Sequence, residues 1–493
     1  MDLALIGLVT APLVSAIFSL VMKSQRSMER LQCIHAAVLI AAMGAVVTNA
    51  GGDSEFVSGV LRADALSAFL DLMLAFVGVT GLLYALGYMG EELVRGHLSF
   101  QRYGWFFCFF NLYLFAMLLA ANLDNIALMW IAIEGSTLSA ALLINFERTK
   151  TALEAGWKYI ILSFVGIALA LFGTVLVYYA SEHVLGVRME ALQWSELYRV
   201  ASDLNPTALE LAFIFIVIGY GTKAGIAPMH TWLPDAHAEA PAPVSALLSG
   251  LMLNLAMYAI LRMKSIVDPA VGPNFTGPIL LGLGLLSIAT AAIFMLIQRD
   301  YKRLFAYSSI EHIGIVLVGF GAGGPVGVFG GLFHMINHSL AKSAAFYAAG
   351  GVWLRYGHRN IEGVTGLLRR MPLVGGAMLL AALALAGLPP FGLFVSEILI
   401  VTGVYVEQPW IAYTFLGLLA VAFAALVYQV FRMVLGEPKE AGIVMTPGGG
   451  RFAAVSLIAH LMAMGYIGIH MPGFLRDLFI PMTRIFRAGG DFP

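Results

Sequence analysis

The sequence predicts an all-α, polytopic membrane protein of about fourteen transmembrane helices, built as two inverted repeats with two broken helices. Three observations carry this prediction. Hydrophobic residues make up 60% of the chain and charged ones only 12%, about half of the ~25% with which a water-soluble domain covers itself. Apolar stretches of about 20 residues, long enough to cross a ~30 Å hydrocarbon core, recur from end to end and leave only short loops. Two of the stretches are interrupted by proline, in corresponding positions about five helices apart. One membrane domain, residues 1–493, accounts for the whole length, with a first repeat over 104–265, a second over 277–435 and an interfacial tail over 473–493.

The elements follow in order. Leu3–Met22 comes after a start without basic residues, and Lys23 and Arg26 follow it. That order reads as a retained first helix beginning outside, not as a cleaved signal. Cys33–Ala50, Asp64–Met89, Gly104–Ala121, Asp124–Phe146 and Trp157–Ala180 are continuous spans. Leu209–Ala240 is broken: Lys223 is followed by Ala227-Pro228 and then Pro234-Asp235. Val244–Met263, Gly277–Ile297, Leu304–Gly321 and Val326–Trp353 are again continuous. Pro372–Tyr405 is broken at Gly387-Leu388-Pro389-Pro390 and Gly392, with Glu397 beyond. Proline removes a backbone donor and clashes with the preceding turn, so both helices are expected to break within the membrane. Ala412–Leu435 and Phe452–Ile469 complete the set. The tail, with Arg476, Arg484 and Arg487 among Phe474, Leu478, Ile485 and Phe486, reads as interfacial and broken at Pro481.

The cations test this layout. Alternate connections hold eighteen Lys and Arg on one side, from Lys23 through Arg148, Lys302 and Arg359 to Lys439 and Arg451. The other side holds five: Arg62, Arg188, Arg199, Arg262 and Lys264. The positive-inside rule places the first set in the cytoplasm and both termini outside, in a bacterial or archaeal cytoplasmic (inner) membrane. With the three arginines of the tail counted, only Lys223 and Lys342 of the 28 Lys and Arg remain, and both fall inside spans.

A charge at mid-bilayer costs ~2.5–3.5 kcal/mol on insertion scales, so it normally faces a partner or a wet cavity. The interior set is Glu134, Lys223, Glu311, His312, His334, His338, Lys342 and Glu397. One such residue can brace helices or sit near an interface. A row of both signs with several histidines is what a proton relay requires. His334, His338 and Lys342 stand at i, i+4 and i+8, hence on one helix face. The two histidines have the spacing of a ligand pair, but Asn337 and Lys342 supply no third ligand and the lysine repels a cation, so no metal is expected. Cys33 and Cys108 lie in separate helices without CxxC spacing, and no nucleotide, P-loop or haem-attachment motif is present. The chain is therefore expected to hold no cofactor and no redox centre of its own, and no nucleic-acid partner is expected.

Thr231-Trp232-Leu233-Pro234-Asp235-Ala236-His237-Ala238-Glu239-Ala240-Pro241 resembles the long signature of antiporter-like proton-translocating subunits. These occur in respiratory complex I, Mrp-type cation/proton antiporters and group 4 hydrogenases. Lys302-Arg303-Leu304-Phe305-Ala306-Tyr307-Ser308-Ser309-Ile310-Glu311-His312 and His338-Ser339-Leu340-Ala341-Lys342 support the resemblance, which covers nearly the whole chain. Within the family the chain is most similar to the hydrogenase-4 component F branch, through Ile133-Glu134, Ser136-Thr137-Leu138-Ser139, Leu153-Glu154-Ala155-Gly156-Trp157-Lys158-Tyr159 and Phe394-Val395-Ser396-Glu397.

The resemblance implies a carboxylate–lysine pair at Glu134 and Lys223 in a first half-channel, a connecting His338, a further family position at His312 and a terminal ionisable Glu397. His237 and Glu311 are expected to line the path. Asn254 departs from the family, standing where complex I relatives often place a lysine or histidine. The link between the halves must then use water, His334 or Lys342. The implied function is proton translocation in a redox-driven complex of the formate-hydrogenlyase, hydrogenase-4 or complex I-like type. The implied partners are other membrane subunits and a peripheral redox arm resembling a nickel–iron hydrogenase or an NADH dehydrogenase. Two alternatives stand beside it: an Mrp-like cation/proton antiporter module, with Na⁺ as the coupling ion but lacking here an oxygen-rich cage, and a passive scaffold for a peripheral oxidoreductase.

Overall fold

The computed structural model describes residues 2–49, 60–438 and 449–486, and these form helices joined by short connections, with no β-strand among them. Ala50, Lys439, Arg487 and Pro493, which bear on the predicted spans and cation count, lie outside the described residues. The chain begins with α1 (Asp2–Val21), α2 (Gln25–Asn49), α3 (Ala65–Val94), α4 (Phe100–Asn122), α5 (Ile126–Ile144) and α6 (Lys150–Leu185). A surface turn, α7 (Trp194–Arg199), precedes the first broken span, α8 (Pro206–Ala224) and α9 (Trp232–Glu239). Next come α10 (Ala242–Leu247), a π-helical turn over Leu248–Met252, and α11 (Leu253–Val271). The second half runs through α12 (Pro273–Leu296), α13 (Tyr301–Ala322), α14 (Gly324–Tyr356), the short α15 (Leu367–Arg370), then α16 (Pro372–Leu385) and α17 (Gly392–Glu407), which form the second broken span. It closes with α18 (Pro409–Leu435), α19 (Gly450–Ile469) and α20 (Gly473–Ile485).

Twelve helices among the described residues are long and apolar enough to cross a membrane. The 33-residue α14 falls short only in apolarity, because His334, Asn337, His338 and Lys342 interrupt it. At 14 and 16 residues, α16 and α17 each rise only ~21–24 Å, so they complete a crossing together. This is an integral membrane protein. Its centre is α10–α11 and α13, buried almost throughout, whereas α1, α2, α18 and α19 expose long apolar faces. Small residues allow the tightest helix pairs: Gly166 meets Gly219 between α6 and α8, and Gly284 meets Gly314 between α12 and α13.

The two ends of the bundle carry the two predicted groups of cations. At one end Arg262 forms a bidentate pair with Asp64 (2.6 and 2.7 Å), Arg62 approaches Asp64 and Asp124 (3.4 and 3.7 Å), and both guanidiniums lie over Trp194. Asp64 also caps α3, accepting from the amides of Leu66 and Ser67. Burial works against its charge, but Arg262 and Arg62 hold its carboxyl well below the usual carboxylate range. At the other end Asp235 pairs with Lys158 and Arg303, and Arg359 bridges Glu239 and Asp300.

Three loop assignments change. Arg262 and Lys264 are buried within α11, paired with Asp64 and Asp268, and Lys302 is buried in the first turn of α13, where the carbonyls of Ala238 and Ala240 take its ammonium. The tail is not broken at Pro481, since α20 runs through it. Its apolar face, with Phe479 and Met482 fully buried, packs on α3 and α14 through Phe69, Phe329 and Phe333, so the fold holds the helix against the bundle.

Candidate proton-transfer site

Both broken helices stop in the same way. Gly225 and Gly387 adopt the left-handed conformation (φ 73° and 64°), which a side-chain-free residue reaches without penalty. At the first break Ile226 and Gly225 donate their amides to Gly221 and Thr222; at the second Leu388 and Gly387 donate to Leu383 and Ala384. This double hydrogen bond closes a helix C-terminus, and each is followed by a cis-proline, at Pro228 and Pro390. The breaks differ in depth. With 19 residues α8 nearly completes a crossing, leaving the eight-residue α9 at the cation-rich end, whereas α16 and α17 divide theirs about equally.

Lys223 lies in the last turn of α8, where carbonyl dipoles favour a cation. It is 2% exposed. Its Nζ donates to the carbonyl of Ile133 (3.0 Å) and, by a short bond, to Oγ1 of Thr137. Thr137 in turn donates to Oε2 of Glu134 (3.1 Å). Asn125 caps α5 and sets the register that puts Glu134 and Thr137, three residues apart, on one face. The carboxylate and the ammonium thus interact through a hydroxyl, with no ion pair between them. Thr137 carried no role in the sequence reading beyond its place in a motif, and hydroxyl spacing alone does not reveal a bridge between two helices.

The second half assembles a cluster. His312 Nδ1 and His334 Nε2 are 2.9 Å apart, and His334 Nδ1 lies 2.9 Å from Oγ of Ser396. Ser396 donates its own hydrogen to the carbonyl of Leu393, so it accepts from His334 Nδ1–H and leaves Nε2 of that ring as an acceptor. The His338 ring stands 5.2 Å from His312, with both nitrogens unpartnered. Lys342 donates to the carbonyl of Phe305 (2.9 Å) and feels the charge of Glu311. Glu397 packs against the second break: a Cβ on Gly387 would fall 2.1 Å from its Oε2. His334, His338 and Lys342 share one face of α14, as their spacing predicts.

Between the halves, Asn254 follows the π-helical turn. Its Nδ2 donates to Gly250 O (3.0 Å), Met335 O (3.3 Å) and Ser339 Oγ (2.8 Å), and its Oδ1 has no partner. Ser249 and Ser309 touch at 2.7 Å, and the hydroxyls of Ser308 and Ser343 are buried without partners. Such orphaned hydroxyls are where ordered water sits in protein interiors. His237, on α9, is fully buried against Phe346 with both nitrogens unpartnered. Two further buried groups were missed: Asp71, held by Asn122 (2.9 Å), and His460, between Thr80 (2.8 Å) and Leu340 O (3.0 Å). Both lie inside predicted spans, and their charge type was the available signal.

The fold also supplies the third ligand type that the α14 spacing lacked: His312, His334 and Glu397 bring one ligand atom each within 4.8 Å of the others. Two nitrogens around a tetrahedral zinc at ~2.0–2.1 Å stand about 3.3 Å apart. The 2.9 Å between His312 and His334 is instead that of a hydrogen bond between the two rings.

Residues 123–424 match the family model described as NADH:quinone oxidoreductase/Mrp antiporter, TM. Over 409 residues the chain is 41% identical to a hydrogenase-4 component F homolog of Methylacidiphilum infernorum, covering 83% of this chain and 85% of that protein. It is 31% identical to NADH-quinone oxidoreductase subunit N of Desulforudis audaxviator, over 85% of this chain and 83% of that one. A chain of the membrane-bound sulfane sulfur reductase, an archaeal respiratory membrane complex, shares the fold with a TM-score of 0.85 at 24% identity, covering 99% of this chain and 98% of its own.

Proposed function

We propose that this chain, which belongs to the NADH:quinone oxidoreductase/Mrp antiporter transmembrane family, conducts protons across the membrane as one subunit of a redox-driven complex of the hydrogenase-4, formate-hydrogenlyase or complex I-like type. The observation that carries this reading is the row of titratable groups, buried but for the half-buried Glu134 and Glu397 at its ends, that includes Lys223, His237, Lys342, His338, His312 and His334. A passive scaffold has no use for such a row, because each member is costly to keep inside a membrane.

The chemistry follows from the contacts. Thr137 accepts from the Lys223 ammonium while donating to Glu134. A displacement that carries Glu134 away removes the negative charge that steadies the ammonium. At an effective dielectric near 20, widening two unit charges from about 4 to about 7 Å weakens their attraction by ~1.8 kcal/mol. Lys223 then yields its proton toward the serine-lined link, where water and Lys342 replace the charge carrier that Asn254 cannot be. The histidines pass protons ring to ring, and Glu397 is the terminal group. Residues 104–265 and 277–435 act as two repeats around this axis. Moving one charge against 100 mV costs ~2.3 kcal/mol, so a peripheral redox arm of nickel–iron hydrogenase or NADH dehydrogenase type, joined through further membrane subunits, supplies the drive. The cation-rich end faces the cytoplasm of a bacterial or archaeal cell, and both termini lie outside.

The test is proton uptake by vesicles carrying the intact complex, read beside its redox rate with an uncoupler. Glu134→Gln and Lys223→Met each keep volume and remove one charge, so each is expected to nearly abolish pumping in an assembled complex. The double variant is expected to be no worse than either single one, as for coupled groups. Normal pumping by both single variants would return the chain to the role of scaffold.

A further inference from the structure

At the cation-rich end a cavity of about 420 Å³ opens between α3, α4, the turn after α5 and the C-terminal end of α14. Glu92 and Glu147 lie in its wall, and so does Pro241, which ends the signature segment. Among the described residues Glu147 makes no hydrogen bond or ion pair and remains accessible from the cavity.

Next to Pro241 in the chain, two carbonyls hold a buried cation. Ala240 and Ala238 turn their carbonyls to Lys302 Nζ (2.5 and 3.0 Å), and Lys302 is 5% exposed. His237 precedes Ala238, whose carbonyl takes the Lys302 ammonium, and its ring stacks on Phe346 of α14, one turn beyond Lys342. His237 therefore sits between Lys302 and the second half. It is fully buried and lacks a partner at either ring nitrogen. A neutral imidazole has one donor and one acceptor, so a buried ring with both unpaired calls for ordered water on both sides. Water on both sides of one imidazole is an element of a proton wire.

We propose that this cavity is a second proton port, which takes hydrated protons from the cation-rich side, collects them at Glu147 and loads His237 and Lys342 without passing Lys223. In each step one ring nitrogen of His237 gains a proton and the other releases one toward the neutral amine of Lys342, so the histidine ends neutral in the opposite tautomer and a turn of the ring resets it. The port rests on the proton-conduction reading and extends it: the Glu134–Lys223 pair transmits the drive, and the second half is refilled on its own side.

An anionic lipid headgroup is the other occupant that a cavity with arginines invites. Two of the three arginines are already committed, Arg95 to Glu91 and the carbonyl of Leu354, and Arg102 to the carbonyl of Phe146. Glu92 is likewise committed to His97 (3.1 Å), and Glu147 in the same wall repels an anion beside the one remaining arginine, Arg355.

The experiment compares Glu147→Gln with Glu134→Gln in vesicles carrying the intact complex. A third variant, His97→Cys in a Cys33→Ser background, is measured before and after a membrane-impermeant thiol reagent applied from the cation-rich side. Glu147→Gln is expected to lower protons moved per redox turnover about twofold without abolishing them, since the first half remains. The reagent on the cysteine at the cavity mouth is expected to do the same. Full pumping ratios in both, with Glu134→Gln inactive, overturn the port and leave proton conduction standing. Unchanged ratios in all three overturn conduction itself. Phospholipid lost from the complex on Arg355→Ala, with Glu147→Gln pumping at the full ratio, makes the cavity a lipid site and also overturns the port.

Discussion

At the first break the titratable group ends the helix that stops, and at the second it belongs to the helix that restarts. Lys223 occupies the last turn of α8, where its charge suits the helix dipole, and Glu397 lies in the second turn of α17. The backbone device is the same in both, a left-handed glycine closing the helix ahead of a cis-proline. What differs is the company. Lys223 meets one carboxylate through one hydroxyl, whereas Glu397 stands at the end of a histidine chain whose tautomers are fixed by Ser396. On the proposed reading the first half works as a single hinge on one proton, and the second as a store with several interchangeable places.

That contrast predicts unequal sensitivity to the loss of one hydroxyl. Thr137→Val keeps the shape and removes the only group linking Lys223 to Glu134. A hydrogen bond to a charged partner is worth ~1.5–3 kcal/mol, so pumping is expected to fall roughly ten- to hundredfold. Thr137→Ser restores a hydroxyl and is expected to recover most of the rate. Proton uptake near the unaltered level in Thr137→Val would mean that lysine and carboxylate communicate by another route, and the hinge description would go with it.

Ser396→Ala makes the matching change in the second half. It frees His334 Nδ1 and lets the ring choose its tautomer, at the cost of one neutral hydrogen bond of ~0.5–1.5 kcal/mol. The expected loss is smaller, roughly two- to tenfold, because His338 and Lys342 remain as alternative carriers. A loss larger than that of Thr137→Val would reverse the comparison and make the histidine chain the narrow point.

How much of this was legible in the sequence depends on the kind of residue. Spans, breaks and the two cationic ends were readable because hydropathy, proline and charge act locally. Helix ends were less so: α2 begins at Gln25 and α6 at Lys150, so cations assigned to loops ride on first turns. Lys302 and Arg262 are buried because carbonyls or a carboxylate from distant segments receive them, and Lys264 because Asp268, one turn on in the same helix, pairs with it. The charged members of the site were identified by their cost in a membrane. Thr137, Ser396 and the serines around Asn254 were not, because a hydroxyl is cheap anywhere and only the fold shows what it connects. The nearness of His312, His334 and Glu397 is of the same kind, since three helices supply one group each.

Asn254 gives the smallest expected effect and the sharpest distinction between carrying a proton and ordering the path. Its amide ties three acceptors together, Gly250 and Met335 carbonyls and the Ser339 hydroxyl, and so clamps the π-helical turn of α11 to α14. Ser339 keeps its own short bond to Gly250 O, so the turn is not left open when the amide goes. Asn254→Ala is therefore expected to destabilise the assembled complex by ~1–3 kcal/mol, through buried acceptors left unpaired, seen as a lower thermal midpoint. Pumping should stay within about twofold, because an amide holds no transferable charge and water can occupy the space beside Ser308 and Ser343. Asn254→Asp keeps the volume and adds a carboxylate between the halves, where it would hold a proton from Lys342 and slow its passage. The expected order is thus Asn254→Ala above Asn254→Asp in rate, the reverse of what residue similarity suggests. If Asn254→Ala stops pumping in a fully assembled complex, the amide itself orders the water between the halves, and the link is as narrow as the hinge at Thr137.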